Sequence, residues 1–139
     1  MPVFTDYIQV ITSGNAEVID VTQDVEKSVQ KSKIKNGIAC INVMGSTGAI
    51  TTCEYEPGLV EDIRELFDRL IPEGPYKHDK MWGDGNGHSH LRSSLIGPSL
   101  TIPIVKGDLA LGTWQQIIFI DFDNRHRERK LIIQMLGDL

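Results

Sequence analysis

The sequence predicts an α+β fold, a single compact domain over residues 1–139 with an antiparallel β-sheet or sandwich flanked by two to three helices. Three observations carry this prediction. β-Branched and aromatic runs fill the C-terminal third, at residues 100–105, 109–111, 113–122 and 130–136. A 3.6-residue period places Leu59, Val60, Ile63, Leu66, Phe67 and Leu70 on one helical face, opposite Glu61, Asp62, Arg64, Glu65, Asp68 and Arg69. A chain of 139 residues, 40% of them apolar, has the size and composition for one core. It shows no internal repeat, low-complexity linker or heptad pattern.

The other elements follow in order. Residues 7–12 and 17–22 read as a hairpin turning at Ser13-Gly14-Asn15. Thr22 is placed to cap a helix over 23–33, where Val25 and Val29 are four apart and Asn36-Gly37 supplies a left-handed stop. Residues 38–44 and 49–55 read as strands around Gly45-Ser46-Thr47-Gly48, ended by Pro57-Gly58. After Pro72, the glycine- and histidine-rich residues 73–90 read as a segment outside the core, and 91–96 as a helical turn. The charged residues 123–129 join the last two strands, and the run from Arg125 to Lys130 reads as a solvated hairpin turn.

A net charge of −5 and a pI near 5.3 argue against general attraction to nucleic acid. The apolar runs fall far short of the roughly 20 residues that cross a bilayer, and the N-terminus lacks a signal pattern. A cytoplasmic protein with no membrane or nucleic-acid partner is expected. Cys40 and Cys53 lie in strand-like stretches and read as buried free thiols, too few for a zinc ribbon.

The chemistry concentrates in Asp84-Gly85-Asn86-Gly87-His88-Ser89-His90, with His78 and Asp79 upstream. Imidazole and carboxylate suit zinc, manganese or similar ions, and in an extended segment His88 and His90 would converge. His78, Asp84, His88 and His90 are therefore candidate ligands to a divalent metal. Gly83, Gly85 and Gly87 would let backbone amides approach an anion, with Ser93 and Arg92 on the next turn. The same residues also read as a solvated glycine-rich loop. Glu54, on a strand with Thr52 and Ile50, reads as a general base or as a carboxylate at a strand end in water. Trp114 beside Gln115 and Gln116 reads as the wall of a ring pocket or as a core tryptophan with surface amides.

The stretches Asp84-Gly85-Asn86-Gly87-His88-Ser89-His90-Leu91, Ser94-Leu95-Ile96-Gly97-Pro98-Ser99-Leu100-Thr101-Ile102-Pro103 and Leu109-Ala110-Leu111-Gly112-Thr113-Trp114-Gln115 resemble the YjbQ family over nearly the whole chain. Its members are often named secondary thiamine-phosphate synthase. The resemblance implies a YjbQ-like α+β fold assembled as a homotrimer, and puts the family's polar positions on His78, Asp84, His90, Trp114 and Gln115. The family's His-Thr-Thr-Ala and Asn-Glu motifs fall on Gly45-Ser46-Thr47-Gly48 and Cys53-Glu54, so the leading histidine and the asparagine are absent here. His88 is the candidate to compensate for that imidazole.

The expected function is that of a transferase joining a pyrimidine diphosphate to a thiazole phosphate, with release of pyrophosphate. His78, Asp84 and His90, with Glu54, are the expected catalytic residues, and Thr47, Asn86, Ser93, Trp114 and Gln115 the substrate-binding ones. Metal-assisted hydrolysis of a phosphorylated metabolite and a non-catalytic metal- or ligand-binding oligomer are the rival readings.

Overall fold

Strand β7 (Gln116–Asp121) has neither face in solvent, which explains why its apolar run does not alternate. Ile117 and Phe119 point into a core of 16 buried residues, while Ile118 and Ile120 point into a second core of seven. The computed structural model describes residues 1–139. It is a single α+β domain with two antiparallel sheets and four helices. One sheet has five strands, in the order β1 (Val3–Thr12), β8 (Arg127–Asp138), β3 (Asn36–Val43), β5 (Ser99–Val105) and β6 (Asp108–Leu109). The other has three, β2 (Glu17–Asp20), β7 and β4 (Gly48–Cys53).

The larger core fills the space between the two sheets and takes Val25 and Val29 from α1 (Thr22–Ser32). The smaller lies on the opposite face of the three-stranded sheet, where α2 (Pro57–Leu70) sets Phe67 against Phe122, ring centroids 5.0 Å apart. Burial of these faces is the main favourable term for both helices. The amphipathic helix is where its period predicts, and Glu56 caps it by accepting from the N–H groups of Gly58 and Leu59, both at 2.8 Å.

Several sequence expectations are corrected. Residues 7–12 and 17–22 do not form a hairpin. Gly14, Asn15 and Ala16 all take positive φ, and the N–H groups of Asn15 and Ala16 bond to Asp123 and Asp121, so β1 pairs with β8 and β2 with β7. A side chain on Gly14 would meet the Asp123 carbonyl at 2.5 Å. Helix α1 ends with Lys33 in the left-handed region, and Asn36-Gly37 begin β3. Thr22 does not cap it: its hydroxyl accepts from the Ile117 N–H and donates to Asp20. Residues 73–90 are not loop alone. They contain α3 (Lys77–Trp82) and the start of α4 (Gly87–Ile96), and Asn86 through Ser89 are buried. Cys40 and Cys53 are free thiols but half-buried: Cys40 lies on the face of β3 opposite buried Ala39 and Ile41, and Cys53 ends β4.

The solvated hairpin turn expected at 125–130 is corrected in part: Arg125, His126 and Glu128 are exposed, but β7 and β8 belong to different sheets and Arg129 enters a buried ion network. Arg129 reaches both carboxylate oxygens of Asp121 at 2.8 Å and donates to Thr47 Oγ1 at 2.6 Å. Asp123 is held by Arg127 at 2.7 Å. Both aspartates are fully buried, which is tolerable only because each charge is paired and hydrogen-bonded. Burial alone would raise the Asp123 carboxyl, but the Asn124 N–H, the Arg127 guanidinium and the Asn86 amide outweigh it and hold its pKa at about 2.

Candidate functional site

Two histidines from different helices meet in front of a cavity. His78 is on α3 and His90 on α4, with ring centroids 4.6 Å apart. The cavity, about 500 Å³, is lined by Tyr76, Lys77, His78, Gly87, His90 and Leu91, and its wall is almost wholly apolar. Asp84 brings a carboxylate oxygen to 3.8 Å from His78 Nδ1, and Asp79 brings another to 3.7 Å. His78 Nδ1 is buried with no hydrogen-bond partner.

Local chemistry explains the approach of the helices. Asp79 accepts from the Tyr76 N–H at 2.9 Å through one oxygen and from the Gly87 N–H at 2.7 Å through the other, tying the two helix starts together. These two N–H groups hold the Asp79 carboxyl below the ordinary aspartate range. Gly87 must be glycine for this contact, since a Cβ would come 2.9 Å from the Asp79 oxygen. Its amide is thereby occupied by a carboxylate of the same chain, and not free for a phosphate.

The other candidate residues divide by position. His88 is two residues from His90 on a helix, about 200° around the axis, so the pair cannot converge as it would in an extended segment. His88 is buried, and that burial, with Arg92 nearby, pushes its imidazole below the usual range. Thr47 donates to Asp123 at 3.2 Å and accepts from Arg129, while Ser93 donates to the Gly48 carbonyl at 2.5 Å. Both hydroxyls are engaged inside the fold. Asn86 is buried beside the site, its Nδ2 donating to Asp123 at 3.3 Å and its Oδ1 unpartnered.

Glu54, Trp114 and Gln115 lie at the other end of the three-stranded sheet. Gln115 bonds to Thr52 Oγ1 at 3.2 Å, Glu54 is exposed just beyond β4, and Trp114 is 73% exposed. The six residues of β7 separate this group from the Asp123 end by roughly 17 Å at strand rise. One chain therefore joins His78, His90 and Asp84, but not these three.

The buried aspartates and Arg129 were missed as neighbours of the site. Their signal was periodic: Arg129 shares a strand face with Leu131, Ile133 and Met135, all buried. A Cβ on Gly45 would meet Arg129 Nη1 at 2.9 Å, so a side chain there would require the guanidinium to shift.

For a divalent ion, the donor chemistry fits: two imidazoles and a carboxylate, one imidazole nitrogen buried and unpartnered. Their spacing does not yet make a coordination shell, and no three such groups converge in the chain as it stands.

Residues 6–138 match the family model described as "UPF0047 protein YjbQ-like". A UPF0047 protein of Archaeoglobus fulgidus is 40% identical over 126 residues, covering 90% of this chain and 95% of its own. UPF0047 protein YugU of Bacillus subtilis is 35% identical, covering 94% and 97%. Among solved structures, a hypothetical protein of Aeropyrum pernix K1 superposes with a TM-score of 0.90 at 40% identity, covering 97% of this chain and 99% of that one. A YbjQ-like protein of unknown function from Sulfolobus solfataricus P2 gives 0.88 at 33%, covering 99% and 100%. These names carry no activity, but with fold and sequence agreeing along the whole chain, it belongs to the YjbQ-like UPF0047 family.

Proposed function

We propose that the protein is a transferase similar to secondary thiamine-phosphate synthase, joining a pyrimidine diphosphate to a thiazole phosphate with release of pyrophosphate. The observation that carries this reading is the pairing of His78 and His90 at the mouth of the apolar cavity, with the Asp84 carboxylate beside His78. An apolar wall suits the flat face of a substrate ring, and two imidazoles can hold or move a proton at its edge. Lys77, at the same mouth, adds a cation for a phosphate group. Magnesium carried in with the diphosphate, or zinc drawn to the imidazoles, would neutralise the diphosphate charge.

A homotrimer belongs to the same proposal. Trp114 and Gln115 are too far from the histidines of their own chain to share a ligand with them. In a ring of subunits, the exposed Trp114 of one protomer would face the histidine cavity of the next and complete it.

The test is the reaction itself. Purified protein with both substrates and magnesium should form thiamine phosphate, and His90→Ala should reduce the rate by at least about 100-fold, the scale of a lost acid–base group. No product above the His90→Ala background ends the transferase reading. Orthophosphate release from a phosphorylated substrate would support the hydrolase, and tight metal retention without any product the binding protein.

A further inference from the structure

Helix α3 carries His78, yet none of its side chains is buried. Packing therefore does not determine where this helix sits. Polar ties do, and they can be followed outward from the histidines. Asp79 joins α3 to the start of α4 through the Gly87 N–H. The remaining ties come from one dipeptide in the connection between β7 and β8. Asn124 Nδ2 donates to the Asp84 carbonyl at 2.9 Å, holding the segment that leaves α3. Asp123 Oδ1 accepts from Asn86 Nδ2 at 3.3 Å, holding the residue that enters α4. The Asn86 carbonyl in turn accepts from the His90 N–H at 3.3 Å.

Each of these ties has only one workable orientation. A carbonyl accepts only from the amide NH₂ of Asn124, and a carboxylate only from that of Asn86. Asp123 is itself immobile: fully buried, it also accepts from Thr47 at 3.2 Å, from Arg127 Nε at 2.9 Å and from the Asn124 N–H at 2.8 Å. The dipeptide is thus anchored in the ion network on one side and grips both flanks of the turn between α3 and α4 on the other.

We infer that Asp123 and Asn124 are positioning residues for the histidine pair, setting the approach of α3 to α4 on which the meeting of His78 and His90 depends. The inference rests on His78 and His90 forming the site. It assigns a role there to residues that touch neither the cavity nor the imidazoles.

The experiment uses the full-length protein with ¹⁵N,¹³C-histidine. At 4.6 Å between centroids, the ring protons of His78 and His90 give a nuclear Overhauser cross-peak without any ligand. Asn124→Ala removes one exposed amide and leaves the buried ion pairs intact. It should weaken the cross-peak at least about threefold and lower zinc affinity about tenfold, as loss of a group orienting a ligand does. Its melting curve should overlay that of the wild type. Asp123→Asn should show the same loss, with a lower melting temperature. A folded Asn124→Ala with the cross-peak and zinc affinity of the wild type overturns the inference, whether or not Asp123→Asn folds. Where wild-type protein binds no zinc, the metal reading falls and the cross-peak alone decides the positioning role.

Discussion

At the scale of single residues, the buried ion network places charge where the chain can least afford to lose it. The Asp123 carboxyl has its pKa lowered from 3.8 to about 2 in the folded protein. A depressed carboxylate pKa means that the unfolded chain binds a proton more readily between those values. Its contribution is therefore present above pH 3.8 and is lost as pH falls through about 2; a shift of this size is worth on the order of 2 kcal/mol. Urea unfolding of the wild type should show this loss between pH 4 and pH 2, and a folded Asp123→Asn variant should show a correspondingly flatter acid limb. Equal slopes in the two proteins would place the acid sensitivity elsewhere. Sequence reading missed this network because a cluster of arginines and aspartates ordinarily marks a solvated turn, and only the two-residue register from Arg129 to Met135 argues otherwise.

Among the elements, α2 is the most legible, yet much of its apolar face stays exposed. Its period predicted an apolar face of six residues, and the structure puts Phe67 in the core while Leu66 is 46% and Leu70 58% exposed. Phe67→Ala is expected to cost about 3–5 kcal/mol, as for other buried aromatics. Leu66→Ala should cost under about 1 kcal/mol in an isolated chain, with the loss scaled to its partial burial. Chemical denaturation of both variants at two protein concentrations checks this, and a concentration-dependent cost above about 2 kcal/mol for Leu66→Ala would mean that another subunit covers the stripe. The histidine segment was legible in composition but not in conformation. Glycines at 83, 85 and 87 argue for a loop. The ties of Asp79 to Gly87 and of Asn86 to Asp123 that fix the two helices act through space, where local propensity does not reach.

For the whole molecule, the α+β class and the antiparallel C-terminal third followed from pattern, whereas strand partners did not. Residues 7–12 and 17–22 look like a hairpin because they are close in sequence. Long-range pairing wins because Gly14, Asn15 and Ala16, all at positive φ, carry the chain from one sheet to the other, where Asp123 and Asp121 take the N–H groups of Asn15 and Ala16. Within the candidate site, His78, His90 and Asp84 meet, while Trp114, Gln115 and Glu54 stand at the far end of β7. A sizing measurement should accordingly give about three times the 15.5 kDa chain mass. A monomer would leave the two groups permanently apart and dissolve the shared site.

The pairing of β1 with β8 bears also on the order in which the protein is made. Thr12 lies beside Arg127, 115 positions on, and Thr5 beside Gln134, 129 positions on. During synthesis, β1 emerges as a ten-residue strand with an alternating apolar face and no partner until the last strand leaves the ribosome. β3, too, must wait for β5 and β8, so the five-stranded sheet cannot zip progressively from one end. Phe4, Ile8 and Val10 spend that interval unprotected, and final closure of the sheet is left to a single late event.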